Sequence, residues 1–146
     1  MKIPLVSACW LLTSRCNYKC SFCFKVPDRK DITQEQAKSI LLQLKKEGVE
    51  KITFSGGEPL LWSGNLLKLI KQAKNLGIMT MIITNGSLLT DEILKEFENN
   101  LDWITLSIDG SNEERQVDAG RPPGHFTNVI ELLEKLKSFN FTIKIN

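Results

Sequence analysis

Residues 51–87 read KITFSGGEPLLWSGNLLKLIKQAKNLGIMTMIITNGS, and the fold class follows from their pattern. Lys51–Phe54 is a short apolar strand that runs into Ser55-Gly56-Gly57-Glu58-Pro59, a turn. Leu66, Leu69, Ile70 and Ala73 then keep the i, i+3, i+4, i+7 spacing of a helix with one buried face, and Gly77 ends it. Ile78–Ile83 is a second apolar strand that stops at Thr84-Asn85-Gly86-Ser87, another turn. Two continuous apolar strands joined through a helix make a parallel pair with its crossover.

The same unit repeats on both sides. Leu5–Thr13 reads as an earlier strand. Thr33, with Gln36 three residues on, forms a capping box for a helix carrying Ala37, Ile40, Leu41 and Leu44, which Gly48 stops. Downstream, Thr90 caps a helix with Ile93, Leu94 and Phe97, and Trp103–Ile108 is a strand. Val129, Leu132, Leu133 and Leu136 mark the next helix, and Phe141–Ile145 a fifth strand. Right-handed crossovers put every strand C-terminus on one edge. Four loops meet there: Ser14–Lys30, Ser55–Trp62, Thr84–Leu89 and Asp109–Gly124. An eight-stranded barrel typically takes about 250 residues. Five units therefore predict an α/β partial (βα) barrel, its parallel strands covered by helices. A stop on a strand reads as truncation.

With 146 residues, 42% of them hydrophobic and 25% charged, the chain is the size of one domain and can bury a core. Nineteen basic against seventeen acidic residues give +2, far from the excess of a dedicated nucleic-acid binder. No apolar run reaches the roughly 18 residues needed to cross a bilayer. Met1-Lys2-Ile3-Pro4 leads straight into Leu5–Leu12 with no signal-peptide cleavage site. The expectation is a cytoplasmic protein with no nucleic-acid or membrane partner.

The first loop holds the chemistry. Cys16-Asn17-Tyr18-Lys19-Cys20-Ser21-Phe22-Cys23-Phe24 has a C-x3-C-x2-C spacing. Structural zinc takes four protein ligands. Here three thiols stand together, and the single histidine, His125, is far downstream. An iron–sulfur cluster takes cysteine thiolates, and three around a cubane leave one iron open. Buried core cysteines and a zinc site recruiting Cys9 are the alternatives. In the second loop, Gly56 and Gly57 allow a close backbone approach to a ligand, and Glu58 can accept from an ammonium group. Taken alone, that stretch is equally a surface turn. Asn85 is equally an Asn-Gly turn, and Asp109 equally a brace for its loop.

Together these residues resemble the radical S-adenosylmethionine (SAM) superfamily, whose hallmark is C-x3-C-x2-C followed by an aromatic. The resemblance implies a [4Fe–4S] cluster on Cys16, Cys20 and Cys23, with SAM chelating the open iron. Phe22 would flank the adenine. Gly56, Gly57 and Glu58 would form the loop that holds the SAM amino group, and Asn85 and Ser107 would contact SAM. Residues 1–146 would be the N-terminal part of the core domain.

The likeness narrows to the viperin-like enzymes of prokaryotic type. Cys16–Phe24, Lys51–Pro59, Asn85-Gly86-Ser87-Leu88, Ser107 to Gly120-Arg121, and Lys144-Ile145-Asn146 carry it. That family makes 3′-deoxy-3′,4′-didehydro nucleotides from nucleoside triphosphates in antiviral and anti-phage defence, with a reductant of flavodoxin or ferredoxin type. The resemblance puts Lys51, Arg121 and Lys144 on the triphosphate and Asn146 on the sugar. Charge supports that role, since Arg and Lys neutralise phosphate well. Cys9 stands where the family places a sugar-contacting asparagine, and Tyr18, the only tyrosine, is poorly placed to quench a product radical. A radical SAM enzyme acting on a peptide, and an inactive truncated cluster-binding domain, are the competing readings.

Overall fold

The structure is a computed structural model describing residues 6–27 and 29–146. Five parallel strands form one sheet: β1 (Ser7–Thr13), β2 (Lys51–Gly56), β3 (Met79–Thr84), β4 (Trp103–Leu106) and β5 (Thr142–Ile145). Their spatial order is their sequence order, so each crossover steps one strand in the same direction and the sheet is an arc. This is the partial (βα) barrel expected. The predicted start of the first strand at Leu5 lies outside the described residues.

Helices α1 (Gln34–Lys46), α2 (Leu66–Asn75), α3 (Asp91–Phe97) and α5 (His125–Leu136) match the four periodic stretches. The capping box at α1 is complete. Gln36 N–H donates to Thr33 Oγ1 at 3.2 Å, and Thr33 N–H donates back to Gln36 Oε1 at 2.9 Å. One helix was not expected. Within the stretch read as the loop Asp109–Gly124 lies α4 (Glu113–Asp118), capped by Asn112, whose Oδ1 accepts from Arg115 N–H at 3.0 Å. Six residues are too few to show an apolar period.

Strand residues alternate between faces. Ile52, Phe54, Ile82, Ile104 and Leu106 point outward and share one buried core with Leu41, Leu69, Ile70, Leu94 and Leu136 of the helices. Burying each such side chain contributes about 1.5–3 kcal/mol. The other face is concave. It carries Cys9, Leu11, Lys51, Ser55, Trp103 and Lys144, all at least partly accessible. The helices thus lie on one side, and the strand C-termini open at the top of the concave side.

Candidate functional site

The strand C-termini enclose a cavity of about 480 Å³, within the usual range for a small-molecule site. Cys16, Cys20 and Cys23 line it, with Phe22, Gly56, Gly57, Asn85, Ser107, Arg121 and Asn146. Ten of the sequence-predicted site residues therefore meet in one place.

The two glycines of the second loop serve a packing need that the sequence reading assigned to ligand approach. A Cβ on Gly57 would lie 2.1 Å from the Arg15 carbonyl oxygen, and one on Gly56 2.4 Å from that of Thr13. Gly57 N–H donates to Thr13 O and Glu58 N–H to Arg15 O, both at 2.7 Å. The exit of β2 is thus pressed against the residues that lead into Cys16.

From the far side a polar ring ties the cysteine loop to the end of β3. Asn85 Nδ2 donates to Asn17 Oδ1 at 2.9 Å, and Asn17 Nδ2 to Ser87 Oγ at 2.8 Å. Ser87 Oγ closes the ring on Asn85 Oδ1 at 2.6 Å. Tyr18 meets His125 edge-on, with centroids 5.3 Å apart. His125 Nε2 lies 3.1 Å from Ser107 O, a group that only accepts, so Nε2 carries the proton and Nδ1 faces the Tyr18 hydroxyl as acceptor. Burial holds this imidazole below its ordinary range, which favours the neutral ring. Asn17, Tyr18 and His125 were missed as site residues. The only sequence signal was a polar and an aromatic residue set between cysteines.

Arg121 is 8% exposed. Its Nε donates to Asp109 Oδ2 at 2.6 Å, and a second guanidinium nitrogen reaches the same oxygen at 2.6 Å. The guanidinium also lies 5.8 Å from the ring centroids of both Tyr18 and Phe22. Its charge is already paired in the cavity wall. Burial pushes the Cys20 thiol up, and the nearby Arg121 cation acts in the opposite sense.

Glu58 is placed differently from the expectation. It is fully buried and is not part of the cavity wall. Its Oε1 accepts from Thr84 Oγ1 at 2.8 Å and Leu60 N–H at 3.3 Å, and its Oε2 from Asn85 N–H at 3.0 Å. Burial pushes the carboxyl up, while the bonds from Asn85 and Thr84 oppose that shift. The side chain holds the strand end that presents Asn85.

Lys51 and Lys144 also lie outside the wall. Lys51 opens β2, at the opposite edge of the sheet, with Nζ 4.9 Å from the Trp103 ring centroid. Lys144 is exposed on β5, opposite Thr105 and two residues below Asn146. Cys9 pairs with Thr53 in the β1–β2 ladder and does not join the three thiols in the wall.

The donor set fits an iron–sulfur cluster. Among the described residues, no three His, Cys, Asp or Glu side chains converge as a single metal ion requires. Tetrahedral zinc, with Zn–S of about 2.3 Å, draws its thiolates to within about 3.8 Å of one another. A cubane takes one thiolate per iron and so spreads them around its corners. Three thiols in one cavity wall offer the three thiolates that a cubane with one open iron takes.

A sequence model of the family described as the Radical SAM superfamily matches residues 10–146. The chain belongs to that superfamily. Its cofactors are a [4Fe–4S] cluster and SAM. Among named relatives, this radical SAM chain is 41% identical to an S-adenosylmethionine-dependent nucleotide dehydratase of Lacinutrix mariniflava, over 99% of this chain and 33% of the relative. It is 40% identical to one of Flammeovirga pacifica, over 90% of this chain and 49% of that protein. The chain thus spans a third to a half of these relatives. The fold recurs in Streptococcus suis SuiB bound to its precursor peptide SuiA, with TM-score 0.81 and 24% identity over 98% of this chain and 32% of that one. It recurs again in BtrN in complex with AdoMet and 2-DOIA, with TM-score 0.70 and 19% identity over 99% and 58%. Among the described residues no helix is long and apolar enough to cross a membrane.

Proposed function

We propose that residues 1–146 are the N-terminal part of a radical SAM core domain. The whole protein converts a nucleoside triphosphate to a 3′-deoxy-3′,4′-didehydro nucleotide for antiviral, anti-phage defence. The observation that carries this reading is the single cavity in which the three thiols meet Asn85, Ser107, Arg121 and Asn146. The names of the relatives at 41% and 40% identity point to nucleotide substrates.

In this reading Cys16, Cys20 and Cys23 would hold the cluster, which supplies the electron that splits SAM into a hydrogen-abstracting radical. Gly56 and Gly57 bring backbone to the SAM side of the cavity, Phe22 flanks the adenine, and Asn85 and Ser107 offer side-chain contacts. Glu58 supports the SAM amino group through the strand end it clamps. Asn146 reaches the substrate from the cavity wall, and Arg121, paired with Asp109 in the same wall, would meet it only with the guanidinium donors which that pair leaves over. Lys144 and Lys51 lie further down the concave face, where a triphosphate running away from the cavity would meet their charge. Cluster reduction calls for a flavodoxin- or ferredoxin-type donor, and the setting is cytoplasmic.

The test is mass-spectrometric product analysis of the full-length, cluster-loaded protein with each of CTP, UTP, GTP and ATP. The expected outcome is 5′-deoxyadenosine together with a didehydro nucleotide from at least one triphosphate. SAM cleavage without any didehydro nucleotide would put the peptide-modifying reading ahead. No SAM cleavage at all would leave a cluster-binding domain without turnover.

A further inference from the structure

We infer that Gly120 is a positioning residue for the middle of the cysteine loop, and that α4 is the abutment from which it acts. The inference rests on the reading of Cys16, Cys20 and Cys23 as cluster ligands, and it begins from the short helix that the sequence pattern did not reveal.

Helix α4 is braced at both ends. Gln116, fully buried, donates through Nε2 to Gly110 O at 2.9 Å and accepts from Asp109 N–H at 3.3 Å, which fastens the helix to the exit of β4. Glu113 accepts from Gly124 N–H at 2.5 Å and Phe126 N–H at 3.1 Å, which fastens it to the start of α5. The C-terminal carbonyls of a helix lack partners within it. Here Ala119, just past the last turn, has its carbonyl satisfied by the cysteine loop: Ser21 N–H donates to it at 3.1 Å and Ser21 Oγ at 3.2 Å.

Gly120 then turns the chain at φ +79°, with Gly120 N–H bonded to Val117 O at 2.8 Å. A Cβ at this position would lie 2.8 Å from Ser21 N, 3.0 Å from Lys19 O and 3.1 Å from Cys20 Cα. All three are backbone atoms, so no side chain can swing away to make room. The absence of a side chain at residue 120 is what lets a rigid helix end lie directly on the backbone of Cys20. Two other glycines separate this steric demand from the demand of the dihedral. Gly124 has φ +85° and meets only Asn128 Nδ2 at 3.9 Å, and Gly48 has φ +89° with nothing within 4 Å.

The test compares Gly120→Asn with Gly124→Asn and Gly48→Asn, because asparagine tolerates the left-handed region and leaves mainly the added volume to differ. In metal-free protein, Ser21 amide exchange should accelerate about tenfold or more in Gly120→Asn and stay near wild type in the two controls. After anaerobic reconstitution, Gly120→Asn should lose its cluster to a chelator about tenfold faster and show an altered paramagnetic spectrum of the reduced cluster, with both controls unchanged. Ser21→Ala, which removes only the hydroxyl bond to Ala119, gives a milder variant that should lose the cluster a few-fold faster. Gly120→Asn matching Gly124→Asn in exchange, retention and spectrum would overturn the inference. So would an unchanged Ser21→Ala should Gly120→Asn not fold. A wild-type protein that takes up no iron would instead defeat the cluster assignment, and the exchange rates would still decide whether α4 holds the loop.

Discussion

The glycines at the two edges of the sheet have different work. At the edge where helices return to strands, Gly48 and Gly77 have positive φ but no crowding: nothing lies within 4 Å of a Cβ on the first, and only Lys45 Nζ, at 3.9 Å, near the second. At the cavity edge, Gly56, Gly57 and Gly120 each press on backbone, at 2.1–2.8 Å for the nearest atom. Gly48 and Gly77 need only a conformation, as does Gly124 in the last of the cavity-edge loops, whereas Gly56, Gly57 and Gly120 need room. Backbone lies on backbone at the three glycines that flank the cysteine loop, and that close approach marks the loop's seat before any ligand is considered.

The sharpest way to break this contrast is Gly57→Ala. Its methyl would sit 2.1 Å from the Arg15 carbonyl oxygen, far inside van der Waals contact, so the β1 and β2 exits must part. A loss of about 3 kcal/mol in denaturant unfolding is expected, at the upper end for overpacking. A loss below about 1 kcal/mol would show that the exits separate easily and that crowding does not mark the loop's seat.

Glu58→Gln probes the same edge through a side chain. All three groups around the carboxyl are donors, so an amide turns its own N–H toward one of them. The expected cost is about 1–3 kcal/mol, with the Asn85 amide exposed to faster exchange. Cluster loading should change less than SAM affinity, since the contact lies under Asn85 and not on the cysteines. Calorimetric titration of SAM into the loaded variant measures the difference.

A smaller effect depends on pH. His125 is buried with its folded-state pKa held below the ordinary value, so the unfolded chain takes up a proton first as pH falls. Its contribution to stability is full above about pH 6.5, is lost as pH drops below that, and is exhausted once the folded pKa is passed. Stability measured across that window should fall in wild type and flatten in His125→Gln. The least effect is expected at the open edge. Gly48→Ala should cost about 1 kcal/mol through its dihedral alone, and Gly48→Asn about half of that or less.

The sheet was legible because its signals are local and repeated. Leu66, Leu69, Ile70 and Ala73 state a helix face, and the apolar strands on either side state a parallel pair. The cysteine spacing and the Gly-Gly-Glu-Pro turn likewise pointed to the edge where the site forms. What stayed hidden was depth and partnership. Lys51 and Gly56 belong to one short strand, yet its length puts them at opposite edges of the sheet. Nothing in the linear order showed that Arg121 would be neutralised by Asp109, or that Glu58 would turn into the protein toward Thr84 and Asn85. Those outcomes depend on which loops the fold brings together. Helix α4 was hidden for a different reason, since six residues hold too little period to register.

The sequential order of the strands also sets a timetable. Each strand pairs with its immediate predecessor, so a chain emerging from the ribosome can extend its sheet one unit at a time. The cysteine loop gains its first wall when β2 docks and Gly57 settles against Arg15. Its second wall arrives only after β4 and α4 have been synthesised and Gly120 closes on Cys20. Between those two events the loop is moulded on one side and open on the other, an interval during biosynthesis in which its three thiols, still at least partly exposed in the finished fold, stand against a single wall.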